Sequence, residues 1–159
     1  MNRKQIMITV LDSKLLNRLM TAGRATWAEL GASVKLTAPA VAERVRKLEE
    51  RGVIKGYAAI VDAAETGYGL TAFVAVTLDR PQHRKGFTEA LIKMGEVVEI
   101  HHVAGDSDYL LKVRCQSTAD LDDLLSNRIK ELPGIARTRT TIVLGTVKET
   151  VVAPISITC

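Results

Sequence analysis

Residues 37–52, TAPAVAERVRKLEERG, have the pattern of an amphipathic α-helix. The apolar residues Val41, Val45 and Leu48 recur at positions i, i+4 and i+7, so one face of this helix is predicted to be buried. The start Thr37-Ala38-Pro39 suits an N-cap followed by a proline in the first turn. Away from the apolar face the surface is basic, with the cations Arg44, Arg46, Lys47 and Arg51. An ordinary surface helix looks the same, so the neighbouring segments decide what this helix does.

Two further helices are predicted before residue 37. The first runs from about Asp12, as its N-cap, to Ala22, and Gly23 stops it. The second opens on Thr26, because Thr26 and Glu29 fit a capping box in which each side chain satisfies a backbone donor of the first turn. Two short helices joined by a tight turn, the second with a basic side, indicate a helix-turn-helix, which lays a helix into the major groove of DNA.

Charge is distributed unevenly along the chain, whose net charge is +4. Residues 1–56 hold 11 Lys and Arg against 5 Asp and Glu, a net charge of +6, whereas residues 57–159 hold 11 against 13, a net charge of −2. Because Lys and Arg neutralise phosphates, the first third is predicted to contact a polyanion. Charge alone does not separate DNA from RNA or from an acidic protein.

The composition predicts a soluble, cytoplasmic protein with no cofactor. Hydrophobic residues make up 47% of the chain and charged residues 25%, which is ordinary for a globular domain. No segment has the ~20 consecutive apolar residues that a membrane span needs. The two cysteines, Cys115 and Cys159, form no CxxC pair, so neither a disulfide framework nor a metal site is expected, and Cys115 is predicted to lie in the core.

The chain changes character after the helix-turn-helix. VIKGYAAIVD, residues 53–62, contains two β-rich pieces and predicts either a short wing or a strand that leads out of the helical domain. The polar run DAAETG and the glycines near it predict a linker over residues 57–69. The first domain is therefore assigned to residues 1–56.

Residues 70–159 alternate between strand and helix patterns and predict an α+β domain. LTAFVAVTLD, residues 70–79, alternates with period two, as a half-buried strand does. The other predicted elements are a helix at 82–94, strands VVEIHHVAG and DYLLKVRC about a turn at 105–108, a helix at 118–132 and a strand at 135–148. This βαββαβ order predicts a ferredoxin-like antiparallel sheet with both helices on one face. The bare face then needs a partner, and the tail VVAPISITC could add an edge strand.

Four segments resemble one family of bacterial and archaeal regulators. They are LDSKLLNRL at 11–19, AVAERVRKLEERGVIKGYAAIVD at 40–62, VAGDSDYLLKV at 103–113 and LPGIARTRTTIVL at 132–144. In these segments the chain is similar to the leucine-responsive, feast/famine (Lrp/AsnC) family of transcriptional regulators. The resemblance implies a winged helix-turn-helix and a ferredoxin-like effector domain that dimerises through its sheet. It also implies further assembly, typically into octamers, with a small effector, commonly an amino acid, between dimers.

The resemblance carries over two sets of binding residues. Those for double-stranded DNA are Thr37, Pro39, Arg44, Arg46 and Lys47. Those for the effector are Val103, Gly105, Asp106, Asp108, Tyr109, Leu110, Thr138 and Thr140. A turn headed by glycine exposes backbone N–H groups that can hold a carboxylate, and Asp106 or Asp108 can accept from an α-ammonium. Gly followed by Asp-x-Asp is also a common tight turn with no ligand, and that alternative stays open.

Two other classes of protein fit parts of the sequence. An enzyme needs a positioned acid, base, nucleophile or metal, and the only candidates are Asp106, Asp108, His101 and His102. Adjacent histidines on a strand point to opposite faces and cannot easily chelate one ion together, so no enzyme is expected. An amino-acid-sensing or protein-interaction module stays open. It would bind DNA weakly and regardless of sequence, whereas a regulator shows a specificity ratio.

Overall fold

A computed structural model describes residues 8–150 and 152–155, which belong to two compact units. The first unit contains residues 8–59 with residues 148–150 and 152–155, and the second contains residues 60–147. The segment from residue 148 thus groups with the first unit, although the sequence assigned it to the second domain. Residues 152–155 form no strand, so this part of the tail adds no edge strand. The rest of the tail prediction, like residues 1–7, lies outside the described residues.

Three helices form the first unit: α1 at Val10–Thr21, α2 at Trp27–Val34 and α3 at Ala38–Glu50. The predicted N-cap of α1 was wrong, because Thr9 caps the helix and Asp12 is its third residue. Thr9 Oγ1 accepts from the Asp12 N–H at 3.1 Å, and Asp12 Oδ2 accepts from the Thr9 N–H at 3.0 Å. This arrangement satisfies two backbone donors instead of one, which explains the earlier start.

The tight turn between α2 and α3 depends on two unusual backbone positions. Lys35 adopts a left-handed conformation at φ 59°, and the Leu36 N–H donates to the Gly31 carbonyl at 2.9 Å. A Cβ on Gly31 would lie 2.5 Å from the Leu36 carbonyl oxygen, so this close approach requires glycine. The predicted caps at Thr26 and Thr37 are confirmed. The fully buried core of the unit is Leu15, Leu30, Val41 and Val45, with Leu48 1% exposed.

The predicted wing or exit strand does not form. Residues 53–69 contain bends and turns but no strand, and Tyr57, Ile60 and Val61 are exposed there. A strand needs a hydrogen-bonding neighbour. The described part of the first unit contains no other strand that could supply one, which explains the difference.

The second unit has the predicted βαββαβ order. Its strands are β1 at Leu70–Leu78, β2 at Val97–His102, β3 at Tyr109–Cys115 and β4 at Ile135–Ile142. Helix α4 spans Arg84–Leu91, and α5 spans Thr118–Asp123 and continues as a wider π-helical turn at Leu124–Ile129. The strands pair antiparallel in the order β2-β3-β1-β4, which is the ferredoxin-like topology.

The helices of this unit cover one face of the sheet. Phe87 and Leu91 of α4 and Leu121 of α5 pack in one core with alternate residues of the strands. Those strand residues are Ala72, Val74, Val76 and Leu78 of β1 and Tyr109, Leu111, Val113 and Cys115 of β3. The other face carries the partly exposed Phe73 and Leu110. The predicted burial of Cys115 and the single helical layer are therefore confirmed.

Helix α4 and strand β4 end earlier than predicted, and the helix predicted at 118–132 ends at Ile129. Helix α4 stops at Leu91 because the Met94 N–H donates to the Leu91 carbonyl and the Val97 N–H to the Met94 carbonyl, and these tight turns lead directly into β2. Met94 still packs against the core, as its helical spacing suggested. Strand β4 ends at Ile142 rather than near residue 148.

Gly134, before β4, is placed where no side chain fits. Its φ is +86°, and a Cβ there would clash with the ring of His83. The Gly134 carbonyl accepts from the Asp79 N–H at 2.8 Å, and Asp79 Oδ1 lies 2.7 Å from His83 Nδ1. These contacts join the end of β1 to the start of β4.

Gly134→Ala is expected to destabilise the protein by about 1–3 kcal/mol, because it combines an unfavourable φ with the clash against His83. The matched control is Gly86→Ala in α4, where a Cβ meets nothing within 4 Å. That change should stabilise by about 0.5–1 kcal/mol through helix propensity. Thermal unfolding followed by circular dichroism measures both. Equal shifts in Tm for the two variants would contradict this explanation.

Candidate nucleic-acid interface and small-molecule cleft

The first turn of α3 is open to solvent. Thr37, Pro39 and Ala40 are exposed, and the Ala40 N–H donates to Thr37 Oγ1 at 3.4 Å, a long bond. Thr37 and Pro39 therefore stand at the exposed N-terminus of the helix, where a helix-turn-helix presents residues to base edges.

Arg44 is held inside the first unit. Its Nε donates to Asp12 Oδ1 at 2.7 Å and its Nη2 to Thr9 Oγ1 at 2.8 Å. Only 34% of the Arg44 side chain and 5% of the Asp12 side chain are exposed. Burial opposes ionisation of Asp12, but the hydrogen bonds from Thr9 and Arg44 outweigh it, so the pKa of this carboxyl lies below its usual value. Arg44 thus braces α3 against the start of α1, a role that the sequence did not reveal.

Arg46 and Lys47 are exposed, but both have acidic partners on α3. Arg46 Nε and Nη2 donate to the two carboxylate oxygens of Glu43 at 2.9 and 2.7 Å, and Arg46 also contacts Glu50. Lys47 Nζ lies 3.4 Å from Glu43. The hydrogen bonds from Arg46 are the main reason why the pKa of Glu43 falls to about 2.

Helix α3 therefore carries no net charge. Its sequence holds three acidic residues, Glu43, Glu49 and Glu50, and three basic residues, Arg44, Arg46 and Lys47. The positive excess of residues 1–56 comes from the segments around it. Within the described residues these flanking cations are Lys14, Arg18, Arg24, Lys35, Arg51 and Lys55. Lys14 and Lys35 line the same shallow cleft of about 360 Å³. Attraction to phosphates must therefore come mainly from the flanks of α3.

The turn between β2 and β3 holds several predicted effector residues. The Val103 N–H donates to the Asp108 carbonyl at 3.0 Å, and Gly105 has a φ of 152°, which favours glycine. Asp106 is exposed. Asp108 accepts the Leu78 N–H at 2.9 Å, so its carboxylate secures the end of β1. Its other oxygen lies 3.6 Å from Arg84 Nη2.

Three of the predicted effector residues do not join this turn in one chain. Thr138 pairs with Val76, and Thr140 is on the same strand, β4. Because β1 lies between β3 and β4, these threonines are about 10 Å from β3 at a strand spacing of 4.7–4.9 Å. Leu110 points to the opposite face from Tyr109. The eight predicted residues thus form no single pocket within a chain.

A cleft of about 530 Å³ lies between α4 and the strands β2 and β3. It is lined by Arg84, Thr88, Ile92, Ile100, His102 and Tyr109. The Tyr109 ring packs 5.0 Å from Phe87 and 5.2 Å from His102, measured between centroids. Such a cleft offers an apolar wall, with a guanidinium and the nearby Asp108 carboxylate at its polar end. This arrangement suits a zwitterion with an apolar side chain.

Among the residues that line this cleft, sequence reasoning assigned only Tyr109 to the effector and considered His102 only as a candidate for catalysis. A signal was present, because Arg84, Thr88 and Ile92 recur at i, i+4 and i+8 and share one side of a helix. What the pattern did not show is that this side of α4 borders the outer strand β2. That placement depends on the order of strands in the folded sheet.

The two adjacent histidines face opposite sides of β2, as predicted, since His101 pairs with Leu110 and His102 with Tyr109. His101 Nε2 lies 2.9 Å from Glu99 Oε2. Across the described residues, no cluster of three or more His, Cys, Asp or Glu is placed to hold a metal. None of the helices in residues 8–150 is long and apolar enough to cross a membrane.

Comparison with known proteins identifies both parts of the chain. Residues 8–49 match the AsnC-type helix-turn-helix domain, and residues 71–153 match the Lrp/AsnC ligand binding domain. The leucine-responsive regulatory protein of Escherichia coli K12 is 38% identical over 141 residues, which cover 87% of this chain and 86% of that protein.

Solved structures agree with these matches. A transcriptional regulator from Neisseria meningitidis, in complex with L-Met, superposes with a TM-score of 0.89 at 26% identity, covering 93% of this chain and 97% of that one. A feast or famine regulatory protein from M. tuberculosis, in complex with L-methionine, has a TM-score of 0.81 at 40% identity, covering 87% and 93%.

Arg44→Ala is expected to destabilise the first unit by about 1.5–3 kcal/mol, the usual range for hydrogen bonds to charged groups. Asp12→Asn should destabilise too, and the double variant should lose less than the sum, because both changes break one bridge. Denaturant unfolding can be followed by the fluorescence of Trp27, the only tryptophan, which lies in this unit. Arg46→Ala is the control and should cost much less. Additive losses from Asp12→Asn and Arg44→Ala would refute the brace.

Proposed function

The chain belongs to the Lrp/AsnC family of DNA-binding transcriptional regulators, and we propose that it binds double-stranded DNA through α3 and changes its DNA occupancy when an amino acid binds the second unit. The observation that carries the proposal is the exposed first turn of α3 between cationic flanks. Relatives of this family are regulators, not enzymes.

The DNA side divides into two kinds of contact. Flanking cations such as Lys35 and Lys55 contact phosphates and supply affinity that is independent of sequence. Thr37 and Pro39 enter the major groove with the first turn of α3, and Arg46 and Lys47 follow on its exposed side. Arg46 can bond a guanine edge bidentately once it turns from Glu43. Arg44, which the resemblance assigned to DNA binding, is bonded to Asp12 and Thr9, and we propose that it positions the helix instead.

A dimer would present two copies of α3. The face of the sheet without helices carries the partly exposed Phe73 and Leu110, which another copy of the same face would bury. Two helices related by a two-fold axis favour a palindrome with half-sites one helical turn apart, ~10 bp, or a multiple of it. Assembly into tetramers or octamers is part of this proposal, as is a cytoplasmic location, where the chain would meet DNA.

The effector is proposed to bind in the cleft beside the β2–β3 turn. Two structural neighbours carry L-methionine, an amino acid with an apolar side chain. Arg84 can hold an α-carboxylate, Asp108 can accept from an α-ammonium, and Ile92 and Ile100 can contact the side chain. Gly105 and Asp106 lie on the adjoining turn. Thr138 and Thr140 would contribute only from another copy of the chain.

The DNA proposal is tested by selection of binding sequences from a random duplex library, followed by titration of the purified full-length protein. We expect an enriched palindrome that binds at least about 10³-fold more tightly than scrambled DNA at physiological salt. Its affinity should fall steeply as salt rises. Weak binding with no enriched sequence would favour the protein-interaction module instead.

The cleft is tested by calorimetric titration of the wild type with each of the twenty amino acids. We expect apolar amino acids to bind, and Arg84→Gln to weaken binding of the preferred one by at least roughly 10-fold, the cost of a charged hydrogen bond. Lys85→Gln is the matched control, since it removes the same charge from an exposed neighbour. If Arg84→Gln and Lys85→Gln bind alike, the effector lies elsewhere.

A further inference from the structure

Glu43 occupies an unusual position for an acidic residue. It is half-exposed, just past the first turn of α3, on the side that carries Arg46 and Lys47. Its two oxygens accept from Arg46 in a fork, and one of them lies 3.4 Å from Lys47. A carboxylate in this place will meet the negative DNA surface whenever α3 enters the groove.

We propose that Glu43 is a specificity-determining residue, which weakens α3 binding to arbitrary DNA and favours sites that place an exocyclic amino group opposite its carboxylate. This inference rests on the proposed function, because it concerns the same helix. Glu43 thereby lowers affinity for DNA that lacks the matching base and contributes affinity for DNA that has it.

Binding to arbitrary DNA depends on contacts between cations and phosphates. Arg46 and Lys47 must leave Glu43 to make such contacts, or bring the carboxylate close to the phosphates. Either event costs free energy. The flanking cations lie outside α3, so their attraction to phosphates does not require Arg46 or Lys47 to leave Glu43. Glu43 therefore lowers affinity for arbitrary DNA without removing the flanking attraction that guides the encounter.

At a matching site the carboxylate gains a partner. Cytosine presents its N4 amino group in the major groove, and a glutamate can accept from it. Glu43 is ionised near neutral pH even when Arg46 turns away from it, because an unpaired glutamate has a pKa of about 4.3, so it acts only as an acceptor. Arg46, three residues on, can then bond the edge of a guanine. Together they would read a cytosine and a guanine.

The other two acidic residues of α3 are less suited to this role. Glu49 accepts a hydrogen bond from the Tyr57 hydroxyl at 2.7 Å. Glu50 is the last residue of the helix, two turns after Glu43. A recognition helix contacts bases with its N-terminal residues, so Glu50 would lie beyond the groove.

The test compares Glu43→Gln with the wild type on the selected operator and on scrambled DNA, at several salt concentrations. We expect affinity for scrambled DNA to rise roughly 3- to 10-fold and the specificity ratio to fall by at least about that factor. The salt slope on scrambled DNA should steepen by about 1–2, as Arg46 and Lys47 gain phosphates. Repeating the selection with the variant should show a relaxed preference at one C·G pair.

Glu89→Gln is the matched control. It removes the same charge from an exposed ion pair on α4 and should leave both affinities nearly unchanged. Unchanged Trp27 unfolding in Glu43→Gln shows that the helix is intact. Equal gains on operator and scrambled DNA would overturn the inference, because they indicate a simple charge effect. Absence of specificity in the wild type would instead refute the proposed function itself.

Discussion

The bridge from Arg44 to Asp12 and Thr9 fixes the recognition helix. Apolar contacts at Val41 and Val45 bury one side of α3, but such contacts are non-directional and by themselves define sliding and rotation of a helix less sharply than hydrogen bonds do. Hydrogen bonds of 2.7 and 2.8 Å to the N-terminus of α1 restrict both. The first turn of α1 is itself closed by the Thr9–Asp12 capping box. A cap, usually regarded as a local feature, thus helps to set the orientation of α3 within the first unit.

Separation of charge follows from that brace. With Arg44 engaged inside the unit and Arg46 and Lys47 paired with Glu43, α3 has little net attraction for phosphates of its own. The cations around α3 must provide the long-range electrostatic attraction to phosphates, and this attraction weakens as the salt concentration rises. Under the proposed function, affinity for phosphates and recognition of bases are thereby assigned to different residues. Such a division would allow the protein to search DNA without being held at every site.

Features of the fold and the candidate site that depend on neighbouring residues could be predicted from the sequence, whereas features that depend on residues far apart in the chain could not. The Thr26–Glu29 capping box and the alternation along β1 are local patterns, and both were confirmed. Arg44 looked like its neighbours on α3, because its partner Asp12 is 32 residues away. Arg84 and Ile100 line the same cleft only because of the order of the strands in the folded sheet. Contacts between residues far apart in the chain produce no periodic pattern in the sequence.

Coupling between effector and DNA needs an element that exists in two arrangements. Asp108 is suited to this, because one carboxylate oxygen accepts the Leu78 N–H and the other lies 3.6 Å from Arg84. An α-ammonium that approaches Asp108 would compete with both contacts, at the point where β1 ends. A ligand changes an assembly only if it binds one form better than another. With the effector in the proposed cleft, the end of β1 is where the free energy of its binding would enter the sheet.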